Sequence, residues 1–246
     1  MEVHKPKIVA NWRELLKEFG IIVLGVLTAL LAEQAVQSIQ WHNKVDAAID
    51  DMNNELSAGD GPQAYQRLAI HDCVADQLNA IQASLEQGDR AEARNRIAKM
   101  WVPSRTWDSL AREAATASDI SAHMPHERML QYRIAYEMVP DMQRLAEKEL
   151  VDLGNLRALP STGGPLSADE KLAELGAVQA LMVDNDTFAR ESRFMLIRLR
   201  LMQMKLDRNF VRADVQEARE HWGGCVTGPD LPAFSPGQPI SPTIVE

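Results

Sequence analysis

The segment from Phe19 to Trp41 constrains this chain most, because its first part is too apolar to remain in water. Residues Phe19 to Ala32 include no charged side chain and a single hydroxyl, that of Thr28. As a helix this run is about 21 Å long, whereas a bilayer core is about 30 Å thick and needs about 20 residues. One apolar face continues beyond the run at Ala35, Val36 and Ile39. We therefore expect a transmembrane helix at residues 18–41, in contact with a lipid bilayer.

The charges on either side of this helix predict its orientation. Four bases precede it, namely Lys5, Lys7, Arg13 and Lys17, and one base with four acids follows it, namely Lys44, Asp46, Asp50, Asp51 and Glu55. Because Lys and Arg are retained in the cytoplasm, we expect a cytoplasmic N-terminus and a periplasmic body, in a bacterial inner membrane. The predicted parts are a basic cytoplasmic or interfacial lead at 1–17, the transmembrane helix at 18–41, an extracytoplasmic helical domain at 42–225 and an extended or disordered Pro-rich tail at 226–246.

Two other interpretations of this helix stay open. A basic start followed by a short apolar run is also typical of a cleaved signal peptide. The cleavage sites fit poorly, because cutting after Ala32 puts Leu30 at the position three residues before the cut, and cutting after Ala35 puts Glu33 there. A helix of this length can also be a buried core helix of a soluble protein.

Small residues within the segment offer a surface for a second helix. Gly25 and Ala29 are four residues apart, and Thr28 and Ala32 repeat the spacing. Such pairs let two membrane helices approach closely, which favours a homo-oligomer through this helix. Gly and Ala are also frequent in membrane helices in general, so the pattern has a plainer explanation.

A resemblance follows from the same residues. The match is carried by a Glu-Phe pair and a GVL-x-AL pattern, at Glu18, Phe19, Gly25, Val26, Leu27, Ala29 and Leu30. This EF-x-IV-x-GVL-x-AL helix resembles the start of an uncharacterised group of bacterial single-pass membrane proteins. A weaker similarity covers Ser121 to Tyr136. The resemblance implies a membrane anchor and a helical extracytoplasmic domain, and it implies no activity.

Composition points to an all-α fold. Of the 246 residues 46% are hydrophobic, which argues against wholesale disorder, and only 5% are aromatic. Residues that favour helices over strands are abundant. The net charge of −9 makes a nucleic-acid partner unlikely, because binding to phosphates requires a basic surface. We expect an antiparallel helical bundle that continues from the transmembrane helix.

Local signals predict where the helices of this domain begin and end. We expect the first helix to run to about Ala58, where the Ser57–Pro62 turn ends it, and the second to end at Gln87–Asp89. Ser104 is predicted to cap a helix, and Pro140 to kink a helix that runs from Pro125 towards Leu156. The remaining expectations are a linker at 160–165, a capping box at Ser167 and Glu170, a helix end near 183–186, and a last helix over 187–222 that Gly223 stops.

The two cysteines are the clearest candidate for a covalent link. In an oxidising compartment Cys73 and Cys225 tend to pair, and the bridge would tie the end of the last helix to the second helix. Two separate thiols are the first alternative. A zinc site with His71 and His221 is the second, but His71 and Cys73 are two residues apart on a helix and face different ways.

Other candidate residues have both a functional and a structural interpretation. Trp101 and Trp107 flank a Pro-Ser turn and are candidates for contact with a partner, or for the core. His123 and His126 suit a pH sensor or an exposed loop. Six arginines near the end of the chain suit an anion or a solvated face, at positions 190, 193, 198, 200, 208 and 212.

No motif for catalysis, nucleotide binding or metal binding occurs in the sequence. We therefore expect no enzyme activity and no cofactor. The leading hypothesis is a membrane-anchored interaction protein, either an accessory or scaffold subunit of a membrane assembly or a homo-oligomer through the membrane helix or helical domain. The alternatives are an extracytoplasmic sensor of a small molecule and, least favoured, an anchored hydrolase.

Overall fold

A computed structural model describes residues 12–158 and 167–227. The predicted linker at 160–165, most of the basic lead and nearly all of the tail lie outside these residues. Within them the chain is all-α and has no strand. The chain divides into two compact units, residues 1–47 and residues 48–246.

Eight α-helices and three short helical turns follow one another in the described residues. The α-helices are α1 (Trp12–Asn54), α2 (Gly61–Gln87), α3 (Arg90–Lys99), α4 (Leu110–Ala117), α5 (His126–Tyr136), α6 (Val139–Arg157), α7 (Ala168–Leu201) and α8 (Arg208–Trp222). A π-helical turn (Glu55–Asp60) joins α1 to α2, and 3-10 turns lie at Ile120–His123 and Gly223–Cys225.

The first part of α1 is long and apolar enough to cross a membrane. An 18-residue window of it has a mean hydropathy of 2.1, and none of that window is buried. The Thr28 hydroxyl donates a hydrogen bond to the Leu24 carbonyl at 2.8 Å, so the one polar side chain in this stretch is satisfied within the helix. At Gly25 an added Cβ would meet no described atom within 4 Å.

The predicted helix end at Ser57–Pro62 is wrong, because the backbone stays helical through it. Pro62 lies in the first turn of α2 and has no N–H to donate, and the Ser57 carbonyl, five residues back, accepts the Asp207 N–H instead. The wider π-helical turn lets the Gly61 N–H bond to the Leu56 carbonyl, five residues back. The Gly and Pro of this segment therefore shape a continuous helix instead of ending it.

Gly61 has a second role, at a close contact with the segment that follows α7. A Cβ at Gly61 would clash with Leu206 Cδ2, would lie 2.7 Å from the Leu56 carbonyl oxygen and would lie 3.0 Å from Leu199 Cδ1. The Asp207 N–H donates to the Ser57 carbonyl at 2.9 Å in the same place. The π-helical turn and the segment after α7 are therefore in direct contact here. A residue larger than Gly at position 61 would push them apart.

Two further helix boundaries differ from the prediction. Pro140 does not kink one long helix but separates two, since α5 ends at Tyr136 and Pro140 lies in the first turn of α6. Ser104 does not cap a helix, because residues 100–109 are not helical and α4 begins only at Leu110.

The boundary predicted within the last two helices is also wrong. α7 continues through 183–186 to Leu201, and the break lies at 202–207, where Gln203 has a positive φ of 58°. Ala213 is exposed, while Val211 and Val215 are buried, because α8 begins anew and turns a different face inward.

Several local predictions are confirmed. Ser167 and Glu170 form the capping box at the start of α7, with the Glu170 N–H donating to the Ser167 hydroxyl. Gly88 and Gly223 end α2 and α8 with positive φ angles of 78° and 61°. These signals act between residues a few positions apart, so they do not depend on the rest of the fold.

We expect Gly61→Ala to destabilise the protein by about 1–3 kcal/mol, the usual cost of overpacking. Gly59→Ala is the matched control, because a Cβ at Gly59 would meet no described atom within 4 Å. Urea unfolding followed by circular dichroism measures both. Equal stability of the two variants would contradict the close packing at Gly61.

Candidate functional site

The structure joins Cys73 and Cys225 in a disulfide. Cys73 lies on α2 and is 2% exposed, and Cys225 lies in the turn after α8, with 5.7 Å between the two Cα atoms. Neither sulfur is therefore available as a zinc ligand. The described residues contain no group of three or more His, Cys, Asp or Glu side chains placed to share a metal ion.

The two histidines of the alternative zinc site make other contacts. His71 lies 2.8 Å from Asp72 through Nδ1 and 3.1 Å from Asp186 through Nε2. His221 stacks on Trp101, with ring centroids 4.2 Å apart and planes 8° apart. His71 therefore connects α2 to α7, and His221 connects α8 to the segment after α3. The two side chains do not converge on one site.

The candidate partner residues Trp101 and Trp107 lie in different surroundings. Trp101 is half-buried under the His221 ring. Trp107 is 6% exposed and packs near Phe188, at 5.9 Å between ring centroids. Trp107 therefore belongs to the core and presents little surface to a partner, because its ring fills the space between its own segment and α7.

A buried ion pair lies beside this tryptophan. Arg67 on α2 and Glu149 on α6 are 3% and 2% exposed, and their side chains are 2.5 Å apart. The Arg67 guanidinium also lies over the Phe188 ring at 4.2 Å. Burial raises the pKa of Glu149, and the Arg67 charge opposes that shift. The pair ties α2, α6 and α7 together, and removing either partner leaves an uncompensated buried charge.

Residues 183–186 lie in the middle of α7, where a helix end was predicted. Their contacts with other helices explain why α7 continues through them. Lys148 on α6 bonds both carboxylate oxygens of Asp184, at 2.7 and 2.8 Å, and also reaches Asp152. The Asn185 amide donates to the His71 carbonyl at 3.0 Å. Asp184 and Asn185 are both buried, so the residues that look like a turn in sequence are contacts between helices.

A carboxyl group is also buried at the π-helical turn. Asp60 is 2% exposed. Burial, with a smaller effect of the nearby Glu55 charge, raises the pKa of Asp60 from 3.8 to about 8. The Tyr136 hydroxyl lies close by and donates to the Met52 carbonyl at 3.4 Å. The groups form a titratable cluster, but their burial closes it to a substrate in this structure.

An opening for a ligand lies elsewhere, between α2, α3, α6 and α7. This cavity has a volume of about 410 Å³, within the range of about 300–1,000 Å³ that ligand sites occupy. It combines an apolar floor with three arginines and one glutamate, and is lined by Leu85, Arg90, Ala93, Arg94, Ile97, Ala98, Leu156, Arg157 and Glu174. We name it the arginine pocket.

Sequence reasoning did not single out the residues of the arginine pocket. Arg90 and Arg94 are four residues apart on α3, a spacing that places both on one helix face. Arg157 ends α6 and Glu174 lies in α7, far away in sequence. The only sequence signal for this pocket was the i, i+4 spacing of Arg90 and Arg94, and such pairs are common in helices.

No family model, curated protein or solved structure matches the chain. Its function is therefore inferred from its own residues and their geometry, and its membership of the uncharacterised membrane family stays a prediction.

The Asp60 carboxyl is expected to make stability depend on pH. A raised pKa in the folded protein means that folding takes up a proton, so this contribution is complete below about pH 4 and is lost as the pH rises through about 8. We expect Asp60→Asn to remove a slope of up to about 1.4 kcal/mol per pH unit within that window.

Urea unfolding at a series of pH values measures this slope in the wild type and in the variant. Asp76→Asn, at an exposed position of α2, is the control and should keep the wild-type slope. A wild type and Asp60→Asn with parallel pH dependence would contradict the assignment.

Proposed function

We propose that this protein is a single-pass, membrane-anchored interaction protein with a helical domain in the periplasm that pairs with a second copy of itself. The observation that carries the anchor is the exposed apolar surface of α1. Phe19 is 63% exposed, Ile21 72%, Leu24 67% and Leu31 66%. Apolar surface of this extent requires a cover, and a lipid bilayer covers all sides of a helix at once.

The disulfide supports the proposed side of the membrane. Disulfides persist in oxidising compartments such as the periplasm and are rare in the cytosol. Cys73 and Cys225 lie in the unit that follows the apolar helix. A periplasmic position of this unit agrees with the basic residues before the helix, which favour a cytoplasmic N-terminus.

An exposed apolar stripe on α7 supports the interaction role. Leu172 is 72% exposed, Val183 55%, Phe194 49% and Leu201 62%. Neighbouring members of this set are eleven, eleven and seven residues apart. Each of these steps is close to a whole number of helical turns, so that each side chain points within about 20° of the one before it. The four side chains therefore form one line along the outer surface of a helix of 34 residues, which we name the α7 stripe.

The charges along α7 favour a second copy of the chain as the partner. Among the charged residues of α7 that are not buried, those before Thr187 are acidic except Lys171, and those after it are basic except Glu191; Glu174 and Asp184 are buried and pair within the unit. Two α7 helices packed antiparallel bring the acidic half of each against the basic half of the other. Such a pairing is self-complementary, as a twofold-symmetric dimer requires.

A charge placed on the α7 stripe is expected to weaken the dimer. We expect Phe194→Asp to lower the dimerisation affinity by at least about tenfold, since it removes apolar area and buries a carboxylate. Leu110→Asp is the matched control, because Leu110 is 65% exposed on α4, outside the stripe. Light scattering with size-exclusion chromatography on the detergent-solubilised full chain gives the mass. A monomeric wild type would overturn the proposal, as would equal masses of the two variants.

Thiol labelling tests the topology and the disulfide together. In intact cells we expect Cys225 to react with a membrane-impermeant maleimide only after treatment with a reductant. Cys73→Ser should expose Cys225 to label without reductant, and should lower stability by about 2–5 kcal/mol. Labelling of that variant only after the inner membrane is permeabilised would place the domain in the cytoplasm.

A further inference from the structure

The arginine pocket has the composition of a site for an anionic ligand. Three of its residues are arginines and one is a glutamate, so their formal charges sum to about +2. The chain as a whole carries −9. A local excess of positive charge on an acidic protein attracts anions to that position.

The pocket also has an apolar part. Leu85 and Leu156 are 1% exposed and Ile97 is 8% exposed, and all three line the cavity. These side chains come from three helices, α2, α6 and α3, so the floor is held by the core of the domain. A ligand with an alkyl or similar apolar part is expected to gain free energy by leaving water for this floor.

Glu174 shows that an arginine of the pocket can lie beside a carboxylate. Its carboxylate is 3.6 Å from the Arg90 guanidinium, and the residue is 4% exposed. Burial raises the pKa of Glu174, while the charges of Arg90 and Arg94 oppose that shift. A carboxylate of the protein itself thus lies at the inner side of the pocket, where it competes with any anionic ligand for the same cations.

Arg157 completes the pocket from a third helix. Its guanidinium donates to the Met100 carbonyl, which holds the side chain at the end of α6 next to α3. A guanidinium has five N–H donors, so this bond leaves others for a ligand. Carboxylate and phosphate groups are the anions that arginine binds best, through paired hydrogen bonds.

We propose that the arginine pocket binds a small amphiphile with one anionic group, a carboxylate or a phosphate. The anion lies among Arg90, Arg94 and Arg157, and the apolar part lies on Leu85, Ile97 and Leu156. Glu174 acts as the internal counter-charge and sets the affinity. This proposal does not depend on dimerisation through the α7 stripe, since it uses none of the stripe residues.

The direct test uses the full chain in nanodiscs of zwitterionic lipid and isothermal titration calorimetry. Sodium octanoate is the probe, and octylamine, which has the same chain length and the opposite charge, is its control. Acetate tests the contribution of the apolar part. We expect octanoate to bind at least about tenfold more tightly than either control. Equal affinity for octanoate and octylamine would overturn the proposal.

Variants separate the pocket from general charge effects. We expect Arg94→Gln to weaken octanoate binding about tenfold, and Arg96→Gln to leave it unchanged. Arg96 lies on the same helix and pairs with Glu92 at 2.8 Å, outside the pocket. Glu174→Gln should tighten binding, because it removes the competing charge without changing the shape.

Circular dichroism establishes that each variant folds. If Glu174→Gln fails to fold, the Arg94 and Arg96 variants still decide the proposal, because both side chains lie partly in solvent. Equal loss of binding in Arg94→Gln and Arg96→Gln would reject the pocket as the site.

Two further arms distinguish a free ligand from a lipid headgroup. In amphipol without lipid, binding of octanoate that requires Arg94 assigns the pocket to a soluble carboxylate. Stabilisation of the wild type, but not of Arg94→Gln, by nanodiscs that contain phosphatidylglycerol assigns it to a phosphate headgroup. Absence of an Arg94-dependent effect in both arms overturns the proposal, while the mass of the dimer measures the α7 stripe separately.

Discussion

The contact between α2 and α7 is the interaction on which the rest of the helical unit depends. It combines an apolar core with a few polar links that hold the two helices in register. Ile70, Leu78 and Ile81 are completely buried on α2, and Val178 and Met195 are completely buried on α7. The bond from Asn185 to the His71 carbonyl and the Arg67 contact with Phe188 cross the same interface. Since a polar group without its partner is costly in a core, these links exclude other registers.

The remaining elements attach to this pair at defined points. α6 is held by the Lys148–Asp184 and Arg67–Glu149 ion pairs, and the end of α8 is held to α2 by the disulfide. The link after α7 returns to the π-helical turn, where the Asp207 N–H donates to the Ser57 carbonyl. What this packing leaves uncovered defines the surfaces on which the proposed functions rest. They are the α7 stripe and the arginine pocket.

Much of the secondary structure was predictable because its signals are local. The Ser167–Glu170 capping box acts over three residues, and the glycines at 88 and 223 each act on one helix end. The all-α class follows from composition and apolar spacing in the same way. The predicted helix boundaries that were wrong depend on contacts with residues far away in sequence. Asp184 and Asn185 look like a turn, but Lys148 and His71 convert them into buried contacts. For Trp107 the sequence left contact with a partner and packing in the core both open, and the structure places it in the core beside Phe188.

The sequence by itself determined the apolar helix near the N-terminus, the helical class and the helix ends at Gly88, Ser167 and Gly223. Each of these depends on neighbouring residues and on the transfer of apolar groups out of water, which act before the chain has a tertiary structure. Only the tertiary structure decided which helices continue through their glycines and acids. It also decided the union of Arg90, Arg94, Arg157 and Glu174 in one pocket. The physical reason is that four helices meet at this pocket, and local sequence carries no information about which helices will meet.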